Sequence, residues 1–281
     1  MLAFAGNSLL CRLALKHTAI DAASFTTLRL IAGAGMLWLV VQWQQRTNAE
    51  PRSVHPPQFA LPGSWLSALA LFIYAAGFSF AYTSMSAATG ALLLFGSVQV
   101  TMVGHGLRHG ERLRPPQLLG FALAFSGLVA LMLPGLAAPG LFASLSMVGA
   151  GLAWGVYSLR AKATPTGRTA SPTTVTAGNF IRAVPMALVL SLLTLSRLSL
   201  DINGIVLAVT SGALASGIGY AIWYHALPAL ASTHAATVQL SVPVIAALGG
   251  VVFIGEALTL PMVLASSAIL GGIALVILTK K

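Results

Sequence analysis

Apolar runs of about twenty residues follow one another along almost the whole chain, separated by short polar stretches. A helix needs roughly that length to cross the hydrocarbon core of a bilayer. Only 7% of the residues are charged, against roughly a quarter in soluble domains. Lipid offers no hydrogen bonds to the backbone, so helices that satisfy their own backbone groups are the natural spanning elements. The sequence therefore predicts an all-α polytopic membrane protein.

The polar stretches divide the chain into ten predicted spans. They lie near 1–15, 22–43, 62–84, 86–107, 115–134, 139–160, 174–196, 202–225, 232–254 and 259–279. Connections such as residues 134–140 are short, so we expect neighbouring helices to be antiparallel. The longest connection, 45–58, is polar and proline-rich. No separate soluble domain is expected.

The positions of Lys and Arg predict the orientation in the membrane. With a cytoplasmic N-terminus, the inward connections and the C-terminus carry ten of these residues: Arg46, Arg52, Arg108, Arg112, Arg114, Arg160, Lys162, Arg168, Lys280 and Lys281. The outward connections carry three, Arg12, Lys16 and Arg197. By the positive-inside rule, both termini face the cytoplasm. The basic residues form no stripe or arm, so nucleic acid is not an expected partner despite the net charge of +10.

Two of the five acidic residues follow a glycine at the end of an apolar run, in HGERL (109–113) and IGEAL (254–258). Three pairs match under a shift of 145 residues: Glu111 with Glu256, Pro116 with Pro261 and Gly127 with Gly272. The segment GFSFAY (77–82) also resembles GYAIWY (219–224). The chain is therefore predicted to contain two copies of one unit.

Each predicted copy holds five spans, residues 1–138 and 139–281. Because five is odd, the second copy enters the membrane upside down relative to the first. Inverted repeats are typical of transporters, in which the same fold read from both sides supplies two gates. We therefore expect ten transmembrane helices in two inverted five-helix repeats around a central cavity.

Two five-helix halves, a Gly-Glu pair closing the fourth helix of each and a glycine-rich fifth helix resemble the drug/metabolite transporter superfamily, EamA type. Tyr224, Ala226, Leu227 and Pro243 fit that pattern, whereas Val98 stands where the family usually has proline, with Gln99 following. Within the superfamily, the chain is similar to YddG-like exporters of aromatic amino acids. The resemblance covers nearly the whole chain.

This resemblance implies a secondary transporter that exports aromatic and other neutral amino acids, or similar amphipathic metabolites, by alternating access. The implied location is the inner membrane, and the implied partners are the small-molecule substrate and the lipid bilayer. A monomer is compatible with this. An exporter of cationic drugs or quaternary amines is an alternative, and a channel-like facilitator is a further one.

Aromatic residues at helical spacing are candidates for the binding site. Tyr74, Phe78 and Tyr82 share one face of span 3, Trp154 and Tyr157 share a face of span 6, and Tyr220 lies in span 8. Such rings also serve as packing or lipid-facing groups. With the polar residues Asn7, Gln99, Asn179 and Gln239, they would suit a pocket for an amphipathic solute.

A second group of candidates has structural or gating roles. Arg29 and Arg182 are charges inside spans, where they either snorkel to the interface or meet a substrate carboxylate. Glu111 and Glu256 lie at helix ends, and we interpret them as carboxylates that remain solvated or cap the helix that follows. Pro243 is placed in the same structural group through the family pattern.

The sequence contains no signature of enzymatic chemistry, such as HExxH or a phosphate-binding loop with lysine. A single cysteine, Cys11, excludes an internal disulfide and a cysteine-based metal site. The pair His105 and His109 lacks a carboxylate partner in the pattern. We therefore expect no enzyme activity, no metal and no cofactor.

Overall fold

Helices account for nearly all of the chain that the computed structural model describes, namely residues 1–47, 62–108, 114–132, 139–163, 171–226, 239 and 241–279. The helices are α1 (Leu2–His17), α2 (Ala22–Thr47), α3 (Trp65–Tyr82), α4 (Ala87–Arg108), α5 (Pro115–Met132), α6 (Leu141–Ala163), α7 (Pro172–Leu193), α8 (Ile202–Ala226), α9 (Ser241–Ile254) and α10 (Leu260–Leu278). A short 3₁₀ turn, Leu195–Arg197, follows α7.

Several helices begin where a short polar side chain precedes an apolar run. Ser64 accepts the backbone N–H of Ser67 at the start of α3. Ser171 accepts that of Thr174 at the start of α7, and Asp201 accepts that of Gly204 at the start of α8. These side chains satisfy N–H groups that have no partner within the helix, which explains why the helices begin there.

Asp21 joins the start of α2 to the connection that precedes α8. Its Oδ1 accepts the N–H groups of Ala23 and Ser24, and its Oδ2 accepts that of Ser199. Partial burial by itself would raise the pKa of Asp21, but the hydrogen bonds outweigh it and lower the pKa. The carboxylate therefore stays ionised while it holds these two connections together.

The outer faces of the helices are apolar, and their inner faces carry polar groups. Leu193 and Phe253 are 79% and 74% exposed, whereas Asn7, Ser79 and Ser216 are buried. The reverse distribution is usual in soluble proteins. Six helices of the described chain, α2, α3, α4, α6, α7 and α8, are long and apolar enough to cross a bilayer. The chain is a multi-pass helical membrane protein.

The helices pack in pairs that are distant in sequence. Helix α3 packs against α6 and α7, α4 packs against α6, and α2 packs against α7 and α8. Helix α1 lies against α8 and α9. Helices α5 and α10 pack mainly against each other, and both contact α4. The helices of the first half therefore contact those of the second half throughout.

Helix boundaries agree with the predicted spans to within a few residues wherever the structure describes them. Helix α8 differs in character, because Ser211–Ile218 in its middle has π-helical hydrogen bonding. Of the predicted span 232–254, residues 241–254 form α9. Glu111, His109 and the C-terminal lysines Lys280 and Lys281 lie outside the described residues.

Candidate functional site

Arg29 is a fully buried charge in the first half of α2, with a side chain that is only 2% exposed. Its Nε donates to Ser216 Oγ at 3.2 Å, and its Nη2 donates to the Tyr74 hydroxyl at 3.0 Å. Nη1 is buried and has no hydrogen-bond partner among the described residues. The guanidinium carbon lies 5.3 Å from the centre of the Tyr74 ring and 5.0 Å from that of Phe78.

A polar network surrounds this arginine. The Tyr74 hydroxyl also accepts from Asn7 Nδ2 at 3.3 Å and from the Tyr220 hydroxyl at 3.4 Å. Asn7 Oδ1 accepts from Ser211 Oγ at 2.6 Å. Helices α1, α2, α3 and α8 therefore each contribute a side chain to one buried network, which we call the Arg29 network: Asn7, Arg29, Tyr74, Ser211, Ser216 and Tyr220.

The π-helical stretch of α8 supplies the two serines of this network. Ser211 and Ser216 are five residues apart, and both are fully buried. Ser211 binds Asn7 and Ser216 binds Arg29. A π-helix has i→i+5 bonds and a wider turn, and such stretches occur frequently at functional sites. The wider turn brings side chains five apart to the same side of α8.

The predicted aromatic residues pack into one continuous cluster. Trp154 lies at its middle, with ring-centre distances of 4.7 Å to Tyr74, 5.0 Å to Tyr220 and 5.6 Å to Tyr157. Phe78 links Tyr74 to Tyr82, at 5.5 Å and 4.7 Å. The structure thus brings together all six rings, which are in contact with one another in this conformation.

Asn179 forms a neighbouring polar contact outside the Arg29 network. Its Nδ2 donates to the Tyr157 hydroxyl at 3.5 Å, and its Oδ1 accepts the N–H of Ser64 at 2.9 Å. Asn179 therefore connects α7 to the beginning of α3 and borders the aromatic cluster at Tyr157.

Gln99 is not brought into this cluster. Gln99 is 8% exposed and lines a small cleft between α4, α5 and α10, together with Phe121 and Ile273. Gln239 is half-buried between stretches that the structure does not describe. The predicted aromatic residues are therefore adjacent, whereas Gln99, one of the four predicted polar companions, lies apart from them.

The two arginines inside predicted spans have different surroundings. Arg182 is half-buried and its Nη1 donates to the backbone oxygen of Gly178 at 2.9 Å. Arg29 has its charge among rings and hydroxyls, as described above.

Pro243 is buried in the first turn of α9, where a missing N–H costs no intrahelical hydrogen bond.

Glu256 connects four parts of the fold. Its Oε1 lies 2.9 Å from Arg12 Nε, and its Oε2 accepts the N–H of Ala87 at 2.7 Å. Arg12 also donates to the backbone oxygens of Tyr82 and Thr83. We call these contacts the Arg12–Glu256 junction. They join α1, the end of α3, the start of α4 and the end of α9.

The interpretation that Glu256 stays solvated or caps the following helix is wrong. Glu256 is largely buried and caps α4 rather than α10. The reason lies in Gly255, whose φ of +68° ends α9 in a left-handed turn, a conformation that glycine adopts at little cost. This turn directs the carboxylate back toward α4, which explains why glycine precedes glutamate.

Sequence reasoning missed several residues of the site. Phe4 contacts Trp154, Tyr220 and Trp223 edge to face, and Phe180 contacts Tyr220. Ser211 and Ser216 gave no pattern at the α-helical period, because they act through the π-helical one. Arg12 was counted as a topology signal, although it forms the one salt bridge found among the described residues.

No group of three His, Cys, Asp or Glu side chains that could hold a metal ion occurs within the described ranges. The chemistry available at the site is instead a buried guanidinium, several hydroxyls, an amide and a set of aromatic rings. Such groups can bind and orient a solute, and within the described part of the chain none of them is paired as a nucleophile with a base.

Similarities to known proteins indicate the family of this chain. The model of the EamA-like transporter family matches residues 141–278, which contain α6 to α10. Uncharacterized protein PA1977 of Pseudomonas aeruginosa is 52% identical over 277 residues, covering 99% of this chain and 91% of that protein. A solved structure, described only as the crystal structure of a protein, shares the fold. It superposes with a TM-score of 0.65 at 18% identity, covering 100% of this chain and 97% of the other. The chain belongs to the EamA-like transporter family, and with it to the drug/metabolite transporter superfamily.

Proposed function

We propose that this protein is a secondary transporter that exports aromatic and other neutral amino acids, or similar small amphipathic metabolites, across the inner membrane by alternating access. The observation that carries the proposal is the aromatic cluster with the Arg29 network beside it. Both are built from helices of the two halves, and carriers with repeated halves bind their substrate at the interface between the repeats. Family membership supports transport, and the choice of substrate rests on the chemistry of these side chains.

An inverted repeat of five helices in each half is part of the proposal. In such a repeat, α1 corresponds to α6, α2 to α7, and so on to α5 and α10. If each helix is replaced by its counterpart, the pairs α3–α6 and α4–α6 become α8–α1 and α9–α1. The same replacement also turns α3–α7 into α8–α2, and it returns α2–α7 and α5–α10 to themselves. All of these pairs occur in the packing. This closed set supports a pseudo-two-fold relation between the halves.

Close glycine contacts support the same relation. A Cβ on Gly272 would meet the backbone of Gly120, and a Cβ on Gly127 would lie 3.1 Å from the oxygen of Ala265. A shift of 145 residues exchanges these two contacts. Gly77 likewise packs against Ser146 of α6, while Gly219 of the matching segment packs against Ala3 of α1.

The six rings suit an amphipathic solute because they offer apolar surface, while the hydroxyls of Tyr74 and Tyr220 offer hydrogen bonds. In the present conformation the rings contact each other, so binding requires that they separate. Alternating access supplies such a movement, since each half rocks relative to the other.

The test is exchange in proteoliposomes that contain the purified chain. Labelled phenylalanine, alanine, a quaternary amine and a sugar are compared, with and without a pH gradient, against protein-free liposomes. We expect saturable uptake of the amino acids that unlabelled amino acid on the opposite side accelerates. Non-saturable flux without this acceleration would identify a channel. Saturable flux of the quaternary amine alone would identify a drug exporter, and either result would overturn the proposal.

A further inference from the structure

The buried charge of Arg29 lacks a compensating anion among the described residues. Guanidinium remains protonated in proteins, and an unpaired buried charge is costly. Three of the five acidic residues of the chain are described, and each has other partners. Asp21 and Asp201 cap helices, and Glu256 binds Arg12. The remaining two, Glu50 and Glu111, lie outside the described residues.

The groups around Arg29 satisfy only part of its binding capacity. Nε and Nη2 donate to the hydroxyls of Ser216 and Tyr74, while the buried Nη1 has no described partner. Contact with the rings of Tyr74 and Phe78 stabilises a cation to some extent. A carboxylate bound across Nη1 and Nη2 would accept two of the three remaining N–H groups and balance the charge, since the guanidinium fork matches carboxylate geometry.

We infer that Arg29 is the binding site for the carboxylate of the transported solute, whose apolar part then lies against Tyr74, Phe78 and Trp154. This inference rests on the proposed transport function and specifies the substrate class. It makes the carboxylate the required group and the amino group dispensable. No described acidic side chain takes part in the Arg29 network, so nothing there demands an ammonium.

This assignment separates amino acids and simple carboxylic acids from cationic solutes. A solute with an ammonium and no carboxylate would bring a second positive charge beside the Arg29 guanidinium. A carboxylic acid with an aromatic ring would instead meet both the charge and the ring cluster. Arg182 does not share this role, because it is half-buried and already donates to the backbone of Gly178.

The experiment uses three probes with the same ring: phenylalanine, 3-phenylpropionate, which lacks the amino group, and phenethylamine, which lacks the carboxylate. Each competes with labelled phenylalanine in proteoliposome exchange. For the wild-type chain, we expect 3-phenylpropionate to compete and phenethylamine to be weaker by about tenfold or more, the factor expected for a charge-assisted hydrogen bond. Equal competition by both probes would overturn the inference without any variant.

Variants then test the residue itself. In Arg29→Gln, the advantage of 3-phenylpropionate over phenethylamine should disappear, and in Arg29→Lys it should be partly kept because the charge remains. The exposed Arg197 provides the control, and Arg197→Gln should behave as the wild type. An unchanged preference in Arg29→Gln would overturn the inference.

A binding measurement separates this inference from the proposed function. Thermal unfolding in detergent is followed with and without 3-phenylpropionate. Wild type and Arg197→Gln should be stabilised by this probe, and Arg29→Gln should not. If 3-phenylpropionate stabilises the protein through Arg29 but phenylalanine shows no saturable exchange, the site is supported and the transport proposal fails. If exchange occurs but 3-phenylpropionate neither binds nor competes, the carboxylate site is wrong.

Discussion

Trp154 contacts four rings of the core, those of Phe4, Tyr74, Tyr157 and Tyr220. At 5% exposure, its indole ring is largely shielded from the surroundings. Large rings dominate the energy of such contacts, because each buries much apolar surface and edge-to-face geometry adds to it. At the scale of single residues, we therefore expect this side chain to contribute both to packing and to the proposed substrate selectivity.

Replacing Trp154 by alanine should weaken transport of aromatic amino acids more than that of small ones, because a large ring loses its stacking partner. It should also lower stability, by roughly 3–5 kcal/mol if the site behaves like other cores. Exchange of labelled phenylalanine and alanine measures the first effect, and thermal unfolding measures the second. Phe142→Ala on the same helix, at a ring that is 70% exposed, is the control. Equal losses for both substrates would contradict a selective role for Trp154.

The Arg12–Glu256 junction should stabilise the fold without carrying protons. The side chains of Arg12 and Glu256 are only 11% and 9% exposed. Loss of one partner therefore leaves the other charge unpaired and with little access to water. Breaking such a pair costs about 3–5 kcal/mol when it is fully buried, and less when water reaches it. We expect Glu256→Gln and Arg12→Gln each to lower the unfolding temperature.

The double variant should be at least as stable as the less stable of the two single variants, since both charges are then gone. A double loss equal to the sum of the single losses would show that the pair is not coupled. Glu256→Gln should also retain flux driven by a pH gradient. If that flux disappears while exchange and folding persist, Glu256 carries protons and its structural role is the wrong interpretation.

At the scale of elements, the packing of α8 depends on a close approach of its π-helical stretch to α2. Gly212 lies against the backbone of Arg29, so that a Cβ at position 212 would collide with the Arg29 carbonyl oxygen. Backbone oxygens cannot move aside as the end of a flexible side chain can. The close approach places Ser211 and Ser216 beside Asn7 and Arg29, which is why one glycine governs the geometry of the Arg29 network.

Gly212→Ala should therefore push α8 away from α2, reducing both thermal stability and phenylalanine exchange. Gly35→Ala in α2 is the matched control, because nothing lies within 4 Å of a Cβ built there. That change should leave stability unchanged or slightly raised, since alanine favours the helix over glycine by roughly 1 kcal/mol. A Gly212→Ala protein as stable and active as the Gly35→Ala protein would contradict the importance of this contact.

At the scale of the whole molecule, the proposed inverted repeat and the charge bias lead to one orientation. In it, the Arg12–Glu256 junction and the contact between Asp21 and Ser199 both lie on the external side. The contacts of Arg160 with Ser64 and Ser67 lie on the cytoplasmic side. Contacts at the two ends of the bundle thus come from different sets of connections.

We predict that the connection at Arg197 is external and that the one at Arg114 is cytoplasmic. Both side chains are exposed, so Arg197→Cys and Arg114→Cys can be made in a background with Cys11→Ser. A membrane-impermeant maleimide applied to intact cells should label only the cysteine at position 197. Labelling only at position 114 would reverse the topology, and with it the assignment of the two ends.

Sequence by itself determined the helices, because the length of each apolar run and the need to satisfy the backbone in lipid leave few alternatives. Helical spacing also placed the aromatic residues of α3 and α6 on common faces, and these faces meet in the structure. The shift of 145 residues pointed to the Gly-Glu pairs. All of these are properties of one segment, or of two segments compared, and they need no knowledge of which helices touch.

Tertiary structure alone decided which polar groups meet. Arg29 and Arg182 look alike along the chain, yet Arg29 is fully buried among the rings of Tyr74 and Phe78, whereas Arg182 is half-buried and donates to the backbone of Gly178. Ser211 and Ser216 became neighbours of Asn7 and Arg29 through a local π-helical turn and the approach permitted by Gly212. Gln99 has a polar side chain that would suit the predicted pocket, but it lies in the cleft between α4, α5 and α10. Side-chain partners depend on helix rotation and close packing between distant segments, and the period of a single helix contains neither.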